Sequence, residues 1–203
     1  MQETRLMMGM PITVAIVDLR TPATVEAVFD YFATIDRRFS TYRDDSEVAL
    51  INAGRFDAGD YSNDMREVLS LAERIQGETG GYFDIRRQRG GIDPSGVVKG
   101  WAIRNAAGIV RCSGAQHYFI DAGGDIQSHG TNADGRAWRV GIRNPFNHDE
   151  IIKVVRPDGR GVATSGTYVR GQHIHDPHSR GTTIDDPVSL TVIGPNVLDA
   201  DLF

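Results

Sequence analysis

The order of helical and strand patterns is the feature that most restricts the fold of this 203-residue chain. After one alternating segment at residues 11–19, amphipathic helical patterns occupy the rest of the first half. The second half holds short alternating segments between turns rich in Gly, Asn and Asp. This separation predicts an α+β fold, with helices packed on a largely antiparallel sheet. A doubly wound sheet is less favoured because no G-x-G-x-x-G segment follows a strand.

The helical patterns carry start and stop signals. Thr21 is predicted to be an N-cap residue, with Pro22 at the first helical position. A further helix is predicted over residues 63–79, where a Gly-Gly pair ends it. Ser95 is predicted to cap another helix, which Gly114 ends. Each pattern has an apolar stripe at helical spacing, so each helix is expected to bury one face.

The predicted strands share an alternation of apolar and polar residues that is typical of half-buried strands. They lie at residues 11–19, 117–121, 138–142, 151–155 and 188–192. No internal repeat, linker or low-complexity segment marks a domain boundary. One domain is therefore predicted over residues 1–203.

Composition limits the classes of protein that fit the chain. Hydrophobic residues at 40% and charged residues at 24% are typical of a soluble globular protein. The net charge of -5 argues against a general nucleic-acid binder, and no apolar run approaches the roughly 20 residues of a membrane span. The first residues contain neither a signal-peptide core nor a lipobox cysteine, so a cytoplasmic location is expected. A single cysteine, Cys112, excludes an internal disulfide and a cysteine-rich metal site.

The segment GVATSGTYVRGQHIHDP, residues 161–177, holds the densest group of residues suited to chemistry. Arg170, His173 and His175 lie close together after a Thr-Ser-Gly turn, and His178 follows. Such a group suits acid/base, metal or phosphate chemistry. A solvated polar strand end is the alternative interpretation. A transition-metal site at the histidines is less favoured because no settled carboxylate partner accompanies them.

A second candidate site lies where the helix after Asp93 begins. Asp93 to Gly96, followed by Lys99, offer free backbone N–H groups, carbonyls in a tight turn and a cation. These groups suit a diphosphate with a metal ion, although a purely structural helix cap fits them as well. The segment is not a P-loop because Val97 stands where that motif requires Lys. Tyr42, beside a turn, is suited to stacking on a planar ring.

Nine short segments follow one another in an order that is hard to reach by chance. They are MGMPI (8–12), STYRDDSEVALIN (40–52), YFD (82–84), DPSGVVKGWA (93–102), DAGGDI (121–126), WRVGIRNP (138–145), ATSGTY (163–168), HIHDP (173–177) and LDADL (198–202). Together they resemble the ApbE family, the FAD:protein FMN transferases, over nearly the whole chain.

The resemblance implies an α+β domain that binds FAD in a cleft and uses Mg²⁺ to transfer FMN onto a partner flavoprotein. The acceptor in the family is a threonine hydroxyl, the new bond is a phosphoester, and AMP is released. An alternative function is an FAD-binding protein, or a slow FAD pyrophosphatase, that does not modify a partner protein. Neither a nucleic-acid partner nor a membrane segment in this chain is expected.

The resemblance also implies roles for individual residues. His173 is expected to be the base that deprotonates the acceptor hydroxyl, and the backbone carbonyl of Gly96 is expected to bind the metal. Asp201 is expected to be the carboxylate ligand of that metal and thereby part of the catalytic group. Contacts with FAD are expected from Met8, Tyr42, Tyr82, Phe83, Asp84, Asp93, Lys99 and His175. In the family a metal-binding threonine follows the position of Asp201, whereas this sequence stops at Phe203, so the domain is expected to be truncated at its C-terminus.

Overall fold

The computed structural model describes residues 1–19, 22–87, 90–166, 175–176, 182–183 and 189–203. The helices are α1 (Pro22–Phe39), α2 (Glu47–Asn52), α3 (Asn63–Glu78), α4 (Ser95–Cys112) and α5 (Val197–Leu202). The strands are β1 (Gln2–Met7), β2 (Met10–Ile16), β3 (Tyr118–Ala122), β4 (Asp125–His129), β5 (Val140–Asn144), β6 (Asn147–Val155), β7 (Gly161–Gly166), β8 (His175–Asp176), β9 (Thr182–Thr183) and β10 (Ser189–Gly194).

The main sheet has six strands in the order β1-β2-β3-β4-β7-β10, and every pairing in it is antiparallel. Strands β5 and β6 form a separate hairpin, and the short strands β8 and β9 pair with each other. These pairings confirm the predicted α+β fold and its antiparallel sheet. Among the described residues, no helix is long and apolar enough to cross a membrane.

Strand β1 is an element that the sequence pattern did not predict. It pairs with β2 along its whole length, from Gln2 opposite Ala15 to Met7 opposite Met10. None of its residues is fully buried, because β1 lies at the edge of the sheet. An edge strand exposed in this way lacks the apolar alternation that reveals a half-buried strand.

The helix starts agree with the sequence in part. Helix α1 begins at Pro22 as predicted, whereas the predicted cap Thr21 lies outside the described residues. The prediction that Ser95 caps α4 is wrong, because Pro94 occupies the cap position and makes no side-chain hydrogen bond there. The backbone N–H of Ser95 donates instead to Asp93 Oδ1 at 3.2 Å. Asp93, rather than Ser95, therefore provides the side-chain acceptor at the start of α4.

The main core lies between the helices and one face of the sheet. Ile12, Val14 and Ile16 of β2 alternate into it, and aromatic side chains of α1 and α4 fill it. Trp101 is 1% exposed, and its indole N–H donates to Glu67 Oε1 at 2.8 Å, which fixes α4 against α3. A smaller apolar cluster on the opposite face, centred on Val162, joins the sheet to the β5–β6 hairpin. The sheet is thus buried on both faces near its middle.

Helix α5 is held against the sheet and against α4 by two close backbone approaches. A Cβ added at Gly161 of β7 would lie 2.0 Å from the backbone nitrogen of Val197. A Cβ added at Gly100 of α4 would lie 3.0 Å from the Cα of Leu198. The backbone N–H of Val197 also donates to Gln127 Oε1 of β4 at 2.9 Å. Glycine at these crossings allows α5 to lie where it does.

We expect Gly161→Ala to lower the free energy of unfolding by about 3 kcal/mol, because the new methyl group overlaps backbone that cannot move independently. Gly77→Ala is the matched control: it lies inside α3, and an added Cβ meets nothing within 4 Å. That control should stabilise the protein by about 0.5–1 kcal/mol through helix propensity. Urea unfolding of both variants measures the difference. Equal stabilisation by the two substitutions would contradict the close approach at Gly161.

Candidate functional site

A cavity of about 550 Å³ opens where the β1–β2 turn, the end of α1 and the start of α4 meet. Its walls combine a methionine pair, small hydroxylated residues and one cation. The lining residues are Met8, Gly9, Met10, Ile35, Asp36, Phe39, Ser40, Thr41, Tyr42, Asp93, Ser95, Val98 and Lys99. A cavity of this size and mixed character is typical of small-molecule and cofactor sites.

One wall of the cavity is the tight turn that joins β1 to β2. Met8 and Gly9 both have left-handed backbone conformations, with φ of 52° and 72°. Two such residues in succession are the requirement of the type I′ turn that favours a two-residue hairpin. Met8 is one of the two non-glycine residues with positive φ in the described chain. The hairpin therefore fixes Met8 at the edge of the cavity at some conformational cost.

A second wall presents an aromatic ring to solvent. Tyr42 is 97% exposed, so almost none of its ring is used to stabilise the fold. Its backbone N–H donates to Ser40 Oγ at 3.3 Å, and Arg43 and Asp45 form an ion pair in the same loop at 2.9 Å. The loop is held by these contacts while the ring stays available. An exposed tyrosine beside a cavity is suited to stacking on a planar ligand.

Asp93 lies at the entrance to α4 and is engaged on both carboxylate oxygens. Its Oδ1 accepts the N–H of Ser95, and its Oδ2 accepts from Arg87 at 3.0 Å. Burial acts to raise the pKa of Asp93, but the hydrogen bonds from Ser95 and the Arg87 guanidinium outweigh burial and hold that pKa below its usual value. The carboxylate is therefore ionised at neutral pH.

Lys99, Asp125 and Asp201 form an ion cluster at the side of the cavity. The Lys99 ammonium forms an ion pair with Asp125 Oδ2 and lies 3.6 Å from Asp201 Oδ1. The Asp125 side chain is 1% exposed and that of Asp201 is 8% exposed. Asp125 Oδ1 also accepts the backbone N–H of Thr164 at 3.0 Å, which ties the cluster to β7. The three residues come from α4, β4 and α5.

The ion cluster holds two carboxylates for one ammonium. Burial, opposed by Lys99 and reinforced by the neighbouring Asp125 carboxylate, raises the pKa of Asp201 to about 7. Asp125 Oδ2 is buried without a well-directed hydrogen bond, so the Lys99 ammonium is its charge partner. A proton or an additional cation relieves the excess negative charge.

The surroundings of Asp201 fit a hard cation with oxygen ligands. Asp201 Oδ2 accepts the backbone N–H of Gly100 at 3.1 Å. In an α-helix this N–H is directed at the carbonyl of Gly96, four residues earlier, so the Gly96 carbonyl lies on the same side of α4 as Asp201. A carboxylate beside a backbone carbonyl is a donor set that Mg²⁺ accepts. Among the described residues, no group of three or more His, Cys, Asp or Glu side chains converges as an alternative metal site.

The structure brings several of the residues singled out in the sequence together. Met8, Tyr42, Asp93 and Lys99 all line the cavity. Asp201 contacts the Lys99 side of the cavity through the ion cluster.

The Tyr82–Asp84 segment lies next to the cavity but does not line it. The Phe83 ring lies 3.2 Å from the position that a Cβ on Gly96 would take, so Phe83 covers the start of α4. Asp84 forms an ion pair with Arg86 at 2.9 Å, and Tyr82 is 66% exposed. The cavity therefore receives structural support from Phe83, while the roles of Tyr82 and Asp84 toward a ligand stay predictions.

The histidine-rich segment is described only in small part. The backbone of His175 belongs to β8, where it pairs with Thr183. His173, predicted to be the base, lies outside the described residues, as do Arg170 and His178. Their predicted chemistry stays a prediction.

Asp125 is a site residue that the sequence interpretation missed. The DAGGDI segment (121–126) contributes to the family resemblance, but no role is predicted for its second acid. An ionisable residue that follows two glycines and opens a buried strand is the signal that could have identified it. Its 0% exposure and its contact with Lys99 show that the carboxylate is directed into the protein rather than into the turn.

An α+β domain with a cavity beside an ion cluster is typical of ligand-binding proteins, and comparison with known proteins assigns the family. The chain belongs to the ApbE family, whose model matches residues 8–89 and 85–203. The FAD:protein FMN transferase of Salmonella typhimurium is 34% identical over 119 residues, which cover 54% of this chain and 34% of that protein. The enzyme of the same name from Escherichia coli K12 is also 34% identical over 119 residues, with the same coverage. The chain thus matches about a third of the length of these curated relatives.

Solved structures show the same fold. The flavin transferase ApbE of Vibrio cholerae superposes with a TM-score of 0.85 at 21% identity, over 100% of this chain and 84% of that one. The apo flavinyl transferase ApbE of Pseudomonas stutzeri superposes with a TM-score of 0.82 at 23% identity, over 99% of this chain and 81% of that one. These likenesses confirm the single α+β domain with its antiparallel sheet.

The buried position of Asp201 predicts a pH-dependent stability. Because its pKa in the folded protein lies near 7, above the usual value, the folded state binds more protons than the unfolded state between about pH 4 and 7. The contribution of this group to stability is present at low pH and is lost as the pH rises through the folded pKa. In metal-free buffer, we expect Asp201→Asn to gain about 1–3 kcal/mol relative to the wild type between pH 4.5 and 7.5.

Thermal unfolding of the two proteins across that pH range, with EDTA present, measures this gain. Glu73→Gln, at an exposed position on α3, is the control and should leave the pH dependence unchanged. A constant difference between Asp201→Asn and the wild type at all pH values would show that Asp201 is not the titrating group.

Proposed function

We propose that the protein transfers FMN from FAD to a threonine hydroxyl of a partner flavoprotein, with Mg²⁺ bound and AMP released. The proposal rests on one observation above others, which is that an exposed aromatic platform and a buried ion cluster border the same cavity. A planar ring system joined to a diphosphate needs both features at once. The names of the curated relatives agree with this chemistry. The cytoplasmic location is likewise a proposal that rests on the sequence alone.

The flavin end of FAD is assigned to the wall formed by Met8 and Tyr42. The Tyr42 ring makes little use of its faces within the fold, so stacking on an isoalloxazine ring costs no internal packing. Met8, held by its hairpin, offers a polarisable thioether to the other side of the cavity. These two residues would orient the flavin without bonding to its reactive phosphate.

The diphosphate is assigned to the start of α4. Lys99 lines the cavity, and Asp125 holds its ammonium in place from the buried side. An ammonium positioned in this way can donate to a phosphate oxygen while one of its hydrogens stays with Asp125. Asp125 therefore limits where Lys99 can reach, and Asp201 remains available for the metal.

Gly96 and Asp201 are the residues that would hold Mg²⁺. When bound, the metal would neutralise charge on the diphosphate oxygens and so assist displacement at phosphorus. Within the chain, the Gly100 N–H orients Asp201, and Gly96 carries no side chain that would crowd the Phe83 ring beside it. In the reaction, the threonine oxygen forms a bond to the FMN phosphorus and the bond from that phosphorus to AMP breaks. The hydroxyl proton passes to His173.

Transfer is tested by incubating the protein with FAD, Mg²⁺ and peptides of flavoprotein origin that contain a single threonine. We expect AMP release together with a peptide mass increase of one FMN residue, and both should cease with EDTA. A peptide with alanine in place of the threonine should gain no mass. Mg²⁺-dependent AMP release with no modified peptide from any acceptor would contradict the proposal and would identify an FAD pyrophosphatase.

Tyr42→Ala should weaken FAD binding by about tenfold, because stacking of an aromatic ring on a planar base contributes about 1–3 kcal/mol. Phe146→Ala is the matched control, since Phe146 is also highly exposed but lies on the β5–β6 turn. Titration by flavin fluorescence measures both affinities. Equal losses of FAD affinity in the two variants, or no loss in Tyr42→Ala, would show that the Tyr42 ring does not stack on the ligand.

His173→Ala should lower the rate of transfer by about 10²–10⁴-fold with little change in FAD affinity, as expected on loss of a general base. An ordinary imidazole has a pKa of about 6.5. The transfer rate of the wild type should therefore decrease when the pH is lowered past that value, and the rate of the variant should not. Single-turnover transfer at saturating FAD over a pH series provides the measurement. If the variant keeps the loss of rate at acidic pH but binds FAD weakly, His173 would be assigned to diphosphate binding instead.

A further inference from the structure

A second cavity, about 400 Å³ in volume, is lined by three arginines and one alanine: Arg136, Arg139, Arg156 and Ala137. All three arginine side chains are exposed. In the part of the chain that the structure describes, none of the three forms an ion pair with a carboxylate. This grouping is unusual in a chain with 27 acidic and 22 basic residues and a net charge of -5.

The backbone fixes the arginines in this arrangement. Asn132 closes the loop before Arg136, because its Oδ1 accepts the backbone N–H groups of Asp134 and Arg136. Trp138, between Arg136 and Arg139, donates its indole N–H to the carbonyl of His129 at 3.0 Å. The Trp138 ring also lies 5.1 Å from that of Phe119. The two arginines on either side of Trp138 therefore project from an anchored segment.

The third arginine is brought to the same place by the β5–β6 hairpin. Val140 pairs with Val155 at the open end of that hairpin. Arg139 precedes Val140 and Arg156 follows Val155, so the next register position places the two arginines opposite each other. Like charges opposite each other across paired strands are destabilising. The fold alone does not account for two arginines placed opposite each other, whereas an anion bound between them would.

We propose that this arginine cavity binds a small polyanion with two or more linked phosphate groups. Guanidinium groups match phosphate oxygens through paired hydrogen bonds, and three of them surround the cavity. A single phosphate group carries about -1.5 to -2 charges at pH 7, so two linked groups balance three arginines better than one. Among the described residues, the remaining one in the lining is Ala137, so this part of the lining offers no aromatic surface to a nucleobase. Recognition therefore rests on the phosphates.

The arginine cavity is separate from the candidate cleft and its proposed flavin chemistry. Asp125, in the ion cluster, begins β4, and His129, which anchors Trp138, ends it. These two residues are four steps apart along the strand, which corresponds to about 13 Å. The proposal does not depend on flavin transfer and survives if that function is wrong.

The test follows thermal unfolding in EDTA at constant ionic strength, with pyrophosphate, orthophosphate or sulfate added. Pyrophosphate should raise the Tm of the wild type in a saturable way, and the other two anions should do so much less, because a ligand of the folded state stabilises it by mass action. Arg139→Gln and Arg156→Gln should each weaken pyrophosphate binding by about tenfold, and the double variant should lose it. Arg55→Gln, at an exposed arginine between α2 and α3, is the matched control and should behave as the wild type.

Two further readouts separate binding from a structural role. In anion-free buffer, Arg139→Gln should melt at or above the wild-type Tm, since it removes like-charge repulsion; a lower Tm would identify the arginine as structural and overturn the proposal. ADP should stabilise the protein as pyrophosphate does if any diphosphate is accepted, and less if the free anion is preferred; either result supports the site.

Three further outcomes would overturn the proposal. A hexaglutamate peptide that stabilises the protein as well as pyrophosphate would assign the arginines to an acidic protein surface. An equal loss in Arg55→Gln would show general screening of charge. Displacement of pyrophosphate by saturating FAD, with the double variant unaffected, would place the anion in the cleft. Unchanged FAD binding by the double variant, followed by flavin fluorescence, keeps this test independent of the proposed transferase activity.

Discussion

The buried ion cluster of Lys99, Asp125 and Asp201 is the interaction on which the arrangement of the domain depends. It joins a helix, a central strand and α5, which are far apart in the sequence. Burying charges is costly unless they are paired and hydrogen-bonded, and both aspartates receive a backbone N–H as well as the ammonium. Removing Lys99 would leave two carboxylates buried without a counter-charge. The cluster thus constrains the positions of three elements that surround the cavity.

The same cluster explains how a stable domain can carry a binding site. Most of the apolar core, including Trp101, holds the helices on the sheet without lining the cavity, although Ile35, Phe39 and Val98 belong to both. The cavity lining also includes residues that the core does not use, such as the exposed ring of Tyr42. The excess carboxylate is tolerated because it is confined to one place and partly balanced by Lys99. Stability and ligand recognition therefore rest largely on different residues.

Sequence patterns predicted the helices and strands that bury one face. They did not predict features that depend on individual side-chain contacts or on an exposed sheet edge. The stripes of α1, α3 and α4 and the antiparallel sheet are confirmed because burial imposes a period on them. Strand β1 escaped prediction because an edge strand buries little. Ser95 was misassigned because α4 begins one residue earlier than predicted, so Ser95 is its first helical residue and donates its backbone N–H to Asp93 instead of accepting one from the helix. Asp125 was missed because pairing between α4 and β4 is invisible in the order of residues.

The short helix α5 has a consequence for how the site responds to its ligands. Its attachments are the buried side chains of Val197, Leu198 and Leu202, together with the Asn196 cap, the Gln127 contact and the Asp201 carboxylate itself. A helix of six residues has little stability of its own, so these contacts decide how often it opens. Each opening withdraws Asp201 from the Gly100 N–H, and the affinity for the proposed cation would fall in proportion to the time spent open. Folding of α5 and binding of the proposed cation would thus be one coupled equilibrium, in which the cation tightens a backbone segment that lies outside the described cavity lining.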